Sequence, residues 1–184
     1  MHKQPLLGPT LETERLILRP PVIEDFEALF AVMQDEEAMQ HLGGVKKRAD
    51  AWKMHMIMIG CWAANGFAMF SVIEKASGQW IGRIGPWFPE GWPGTEIGYT
   101  LAKPFWGKGY AYEAAVASVD WAIDHLGWHE IIHTIGDNNT SSIKLAHRLG
   151  SRKLRRAILP VLAGDIESDV WGQSADEWRA RRAA

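Results

Sequence analysis

From Lys108 to Leu126 the apolar residues Ala111, Ala115, Val119, Ala122 and Leu126 recur every three or four positions, and Gly127 follows. That spacing predicts one long helix with a buried face and a glycine stop. Strand-like segments bracket it, Thr95–Leu101 before and Trp128–Ile135 after. The rest of the chain keeps the alternation. Arg15–Arg19 reads as a strand stopped by Pro20-Pro21, and Val22, Phe26, Leu29, Phe30 and Met33 return at helical spacing. Arg48–Ala64 predicts a second helix ending at Asn65-Gly66. Phe67–Lys75 and Gln79–Phe88, joined at Ser77-Gly78, predict a β-hairpin. Ser141–Leu149 predicts a short helix, followed by β-like segments near Arg152–Leu159 and Ile166–Trp171 and an Arg-rich terminal helix. Strands interleaved with helices and a hairpin, without repeat, low-complexity tract or linker, give an α+β (mixed α/β) class. One domain over residues 1–184 is expected.

Composition excludes several functions. The 184 residues carry 20 Lys and Arg against 22 Asp and Glu, a net charge of −2, which argues against non-specific nucleic-acid binding. The single cysteine, Cys61, lies on the apolar face of a predicted helix and permits neither an internal disulfide nor a Cys-rich metal cluster. Met1–Pro9 has no apolar signal-peptide core, and the longest apolar run, Met56–Ala64, is too short for a bilayer. A soluble, cytoplasmic protein without membrane partners is expected. Ten tryptophans are many for this length; they fill a core, cover loops or line a ligand cleft.

His129-Glu130-Ile131-Ile132-His133 fits the zinc-hydrolase pattern H-E-x-x-H. That chemistry requires a helix, with both imidazoles on one face. Here the segment is short and β-branched between Gly127 and Gly136, which favours a strand. A strand would hold the two histidine Cα atoms about 13 Å apart, beyond the reach of one zinc ion. No metal is expected, and zinc hydrolysis stands as the remote alternative.

Gly107-Lys108-Gly109-Tyr110-Ala111 lies between a strand and the long helix. Glycines permit close backbone approach, and free N–H groups at a helix N-terminus favour an anion. By itself the G-x-G is equally compatible with a structural turn, and it is neither a Rossmann nor a Walker loop. Together, Glu96–Leu101, Trp106–Ala114, Asn139-Thr140-Ser141-Ser142 with Leu149-Gly150, and the opening Leu11–Arg19 resemble the GNAT N-acetyltransferase superfamily. The resemblance is to its ribosomal-protein N-terminal acetyltransferase branch and covers about residues 10–160. It implies a central mixed, mostly antiparallel sheet flanked by helices, with splayed strands forming an acetyl-CoA cleft. It also implies acetyl transfer to a primary amine, a protein N-terminus or a small molecule, by direct attack in a ternary complex. Acetyl-CoA and an amine acceptor are the implied partners, and a homodimer is compatible with it.

By the same resemblance Trp106, Gly107, Lys108, Gly109, Tyr110 and Ala111 would hold the pyrophosphate. Tyr99, Thr100 and Leu101 would pair with the pantetheine arm, which Asn139 would contact. The Leu101 N–H would stabilise the thioester oxygen, and Ser142 would contact the cofactor and protonate the leaving thiolate. Glu96 matches a catalytic base of several relatives. A lysine-like amine is neutral only to the order of one part in a thousand at pH 7, so a base matters. Each residue also has a plainer reading: Glu96 as a polar strand-edge residue, Asn139 as a helix cap, Ser142 as a first-turn residue. The family's tyrosine acid is replaced by Ala146, which leaves a CoA-binding module without catalysis as the alternative.

Overall fold

The computed structural model describes residues 7–160 and 165–183. The stretch read as lacking a signal sequence lies mostly outside them. Eight strands form one sheet in the order β1-β2-β3-β4-β5-β6-β8-β7. They are β1 (Leu11–Glu12), β2 (Leu16–Arg19), β3 (Phe70–Glu74), β4 (Trp80–Trp87), β5 (Glu96–Leu101), β6 (Glu130–Ile135), β7 (Arg152–Leu159) and β8 (Ile166–Ser174). Every neighbouring pair is antiparallel except β5 with β6. The helices are α1 (Phe26–Met33), α2 (Glu36–Met39), α3 (Arg48–Asn65), α4 (Tyr110–His125), α5 (Thr140–Leu149) and α6 (Ala175–Ala183). The mixed, mostly antiparallel sheet is therefore present, with each predicted helix and strand close to its expected place. The four-residue α2 was not anticipated.

Parallel strands need a crossover, and α4 supplies it between β5 and β6. Its inner face is small: Ala114, Ala115 and Ala122 are fully buried, with Val119, against Leu18, Phe70, Val72, Ile84 and Ile97 of the sheet. Small side chains let the helix axis come close to the strands, and the tryptophans fill the margins. Trp62 packs on Phe70 and Trp121 at ring distances of 5.0 and 5.9 Å, and Trp128 and Trp178 are buried in the same cluster. The opposite face is covered by α1 and α3, where Phe26, Leu29, Met33, Met39 and Ala51 form a second cluster with Trp80 against it. Cys61 is half-buried, and burial pushes its thiol up, as a packing residue requires. No described helix is long and apolar enough to cross a membrane.

Candidate active site

The sheet divides at Glu96. β5 runs beside β4 for six residue pairs, from Gly82 opposite Leu101 to Trp87 opposite Glu96. Against β6 it keeps a single pair, Glu96 with Ile132. Two side chains end that ladder. In a continued parallel ladder the Thr134 N–H would donate to the Ile97 carbonyl. Instead the Ile97 carbonyl accepts from His133 Nδ1 at 2.8 Å, and the Thr134 N–H donates to Glu96 Oε1 at 3.1 Å. The strands can therefore part without orphaning these buried groups.

Beyond this point the edge of β5 faces a gap. The Leu101 carbonyl accepts from the Trp106 indole at 2.8 Å, on the same edge as the Ile97 carbonyl. By the two-residue period of a strand, the Tyr99 N–H and carbonyl and the Leu101 N–H point the same way, into the gap. Thr100 differs, since its main chain faces β4 opposite Arg83. The Tyr99 hydroxyl donates across the gap to the Ser142 carbonyl at 3.2 Å, and burial raises its pKa. His133 donates through Nδ1, so Nε2 carries a lone pair; it is buried without a partner. Burial pulls the pKa of this imidazole down to about 4, so it is neutral at physiological pH.

The loop at the mouth of the gap is built for exposed amides. Gly107 and Gly109 have φ of 72° and 82°, and Gly109 is the N-cap of α4. Only glycine adopts that left-handed backbone without strain. The main-chain N–H groups from Gly107 to Tyr112 have no protein acceptor among the described residues, as expected for the first turn of a helix. The opening segment clamps this turn. Glu113 accepts from the Arg15 main chain at 2.8 Å, from Arg15 Nε at 2.7 Å and from the Thr13 hydroxyl. Arg15 also donates to the Lys108 carbonyl at 3.0 Å and stacks over the Tyr110 ring at 4.4 Å. The Tyr110 hydroxyl donates to Glu74, and Ala111 packs into the core, so these two offer the loop main chain rather than side chains. Lys108 Nζ lies 5.2 Å from the Phe105 ring centroid. Asn139 caps α5, its Oδ1 accepting from the Ser142 N–H at 3.1 Å and from the Ser141 hydroxyl at 3.0 Å.

Glu96 sits at the apex of the fork, 6 % exposed. Its oxygens accept from the Trp92 indole, the Thr134 N–H and the Thr134 hydroxyl. Burial pushes its carboxyl up to about 7, against the pull of these neutral donors. Trp92 is held edge-on to Trp87 at 6.4 Å. Thr134 had no sequence signal. Trp92 was distinguished by nothing from the other nine tryptophans.

The histidine motif lies in strand geometry. His129 precedes β6 and is exposed, whereas His133 is buried within the strand. Among the described residues no group of three or more His, Cys, Asp or Glu side chains is arranged to hold a metal ion.

A family model described as an acetyltransferase (GNAT) domain matches residues 15–152. An uncharacterized N-acetyltransferase, p20, of Bacillus licheniformis is 34 % identical over 147 residues, covering 78 % of this chain and 83 % of that protein. The crystal structure of an acetyltransferase from Agrobacterium tumefaciens superposes with a TM-score of 0.77 at 28 % identity, covering 94 % of this chain and 98 % of that one. A ribosomal-protein-S5-alanine acetyltransferase from Vibrio fischeri shares the fold, with a TM-score of 0.72 at 20 % identity over 93 % and 99 % of the two chains. With the forked sheet, the clamped glycine loop and these relatives in agreement, the chain belongs to the GNAT acetyltransferase family.

Proposed function

We infer that the protein moves an acetyl group from acetyl-CoA to a primary amine held on the side of the sheet occupied by Glu96, by direct attack while both substrates are bound. The observation that carries this reading is a buried carboxylate at the point where the strands part, its acidity weakened by that burial. Acetyl-CoA, when bound, supplies an activated thioester. The chain offers what such a co-substrate needs: unsatisfied N–H groups at Gly107–Tyr112 for the pyrophosphate, and the open edge at Tyr99 and Leu101 for an amide-bearing arm. By the resemblance to the family, Trp106, Lys108, Asn139 and Ser142 would complete the contacts to the co-substrate.

Glu96 Oε takes a proton from the acceptor ammonium, directly or through one water. A base of pKa near 7 is half ionised at neutral pH and regains a proton readily. The Leu101 N–H is aimed into the gap where negative charge would develop on an acyl oxygen. The Ser142 hydroxyl, at the first turn of α5, is the proton donor proposed for a departing thiolate.

Two measurements test this together. Acetyl-CoA at about a hundred times its dissociation constant should stabilise the protein by roughly 2.7 kcal/mol, or about 5–11 °C. Glu96→Gln should retain that shift while acetyl transfer to a panel of primary amines falls by roughly 10²–10⁴-fold. Unchanged transfer in the variant removes Glu96 as the base. A parent protein that acetyl-CoA stabilises, yet that acetylates no amine, favours a cofactor-binding module.

A further inference from the structure

The helix α3 is apolar on the side it turns away from the sheet. Its inner line is Ala51, His55, Met58 and Trp62, all buried. A surface helix ordinarily carries charged and polar residues on the opposite side. Here the eleven residues from Met54 to Ala64 include no Asp, Glu, Lys or Arg, and their one imidazole, His55, is on the buried line. By the 3.6-residue period, Lys53, Met56, Ile57, Gly60, Ala63 and Ala64 form the line opposite it. Ile57 is 40 % exposed, and Gly60, Ala63 and Ala64 are exposed as well. A helix that is apolar all round is one that is covered all round.

Gly60 is the least expected residue of this outer line. It stands mid-helix, where glycine is a poor helix former. A Cβ built there would meet no neighbouring element within 4 Å, so packing inside the chain does not require its smallness. Glycine at such a place lets a second backbone come close. The sizes on either side of it are graded. Met56 and Ile57 are bulky and precede it, whereas Ala63 and Ala64 are small and follow it. When a second α3 crosses antiparallel about a two-fold axis at Gly60, positions equally far before and after that residue face each other. Met56 then lies over the partner's Ala64, and Ile57 over the partner's Ala63.

Charge is complementary in the same arrangement. Lys53 stands seven residues, about 10 Å, before Gly60, which sets it against the C-terminal end of the partner helix. That end carries negative partial charge and has no basic side chain in its last turn. Among the described residues no main-chain N–H donates to the Ala63, Ala64 or Asn65 carbonyls. The Lys53 ammonium is exposed and meets only Asp50, at 3.1 Å, which leaves it donors to spare.

We propose that the outer face of α3 is a dimerisation surface whose occupant is a second copy of this chain, the two helices crossing antiparallel at Gly60. The proposal stands independently of the acetyltransferase reading. One helix pair is a small interface, so the dimer is of micromolar affinity.

Sedimentation velocity of the purified chain from about 1 to about 100 µM tests this. The parent should pass from 20.6 kDa toward twice that mass. Ile57→Asp and Gly60→Gln should each raise the dissociation constant at least tenfold. Lys53→Glu, which sets an anion against the negative helix end, should raise it several-fold. Gly60→Gln places a better helix former in open space, so in dilute solution its Tm should be no lower than the parent's, and its loss of the dimer is not a folding defect. Ile158→Asp, at an exposed position of the edge strand β7, should leave the mass unchanged. A parent that stays monomeric throughout the range overturns the proposal. Cosedimentation of that monomer with phosphatidylcholine–phosphatidylglycerol vesicles, lost in Ile57→Asp, would then give the face to a lipid surface. A dimer that survives both Ile57→Asp and Gly60→Gln also overturns it, as does one that only Ile158→Asp dissociates, which would place the contact at the sheet edge.

Discussion

Asp25 and Glu96 are buried carboxylates on the same side of the sheet, 5 % and 6 % exposed, and each accepts several hydrogen bonds. Their acidities nevertheless move in opposite directions. Burial pushes both up. For Asp25 the paired guanidinium of Arg19, with the Val22 N–H and the Ser71 hydroxyl, outweighs burial and holds the carboxyl below its ordinary value. Glu96 has only neutral donors, and burial wins. The charge of the partner, rather than the depth or the number of hydrogen bonds, therefore separates a carboxylate that fastens α1 to β2 and β3 from one free to exchange a proton.

The comparison breaks most visibly under substitution. Glu96→Gln should carry the largest effect, the loss of transfer proposed above. Asp25→Asn should instead cost about 3 kcal/mol of stability, because it leaves the Arg19 charge without its bidentate partner. In a domain of this size that lowers Tm by about 6–12 °C. Transfer by the remaining folded protein should fall far less than in Glu96→Gln. Equal losses of activity in the two variants would show that Asp25 acts in the site and is not merely a fastening.

Acidification should separate the pair next. A carboxyl held below its unfolded value adds stability that is present above that value and lost as pH falls through it. Asp25 therefore weakens the fold below about pH 4. A carboxyl held above its unfolded value acts in reverse. Glu96 penalises the fold progressively as pH rises from about 4.5 toward 7, because only the unfolded chain releases the proton easily. Between pH 4.5 and 8 the stability difference between Glu96→Gln and the parent should thus shift toward the variant by about 3 kcal/mol. Denaturant titrations at the two pH values measure it. A difference that stays flat would mean that Glu96 is ionised throughout.

The sequence carried the frame of this arrangement more clearly than its chemistry. The long helix, the strands on either side of it and the glycine loop are local patterns, visible in Ala111–Leu126 and Gly107–Gly109 because periodicity and turn preference act over a few residues. The clamp of Arg15 on Glu113 joins residues 98 apart, and Thr134 reaches Glu96 across 38, distances at which no spacing rule operates. The four-residue α2 is too short for helical periodicity to register, and Asp35 caps it by accepting from the Ala38 N–H. The raised carboxyl of Glu96 follows from the absence of a nearby cation, which a linear pattern does not display.

The finest division of the comparison lies in the donors to Glu96. Trp92 donates its indole N–H to the carboxylate, and this favours the ionised form. Trp92→Phe keeps an aromatic ring beside Trp87 but removes the donor. With one fewer hydrogen bond to the anion, and burial unchanged, the carboxyl should rise further. The rising limb of the pH–kcat/KM profile should then move alkaline from about 7 by up to about one unit, equivalent to roughly 1.4 kcal/mol. Ser71→Ala removes a neutral donor of similar strength from Asp25 and should leave that limb where it is. A profile that moves with Ser71→Ala and stays fixed with Trp92→Phe would reverse the two assignments, placing the titrating group at Asp25 and the fastening at Glu96.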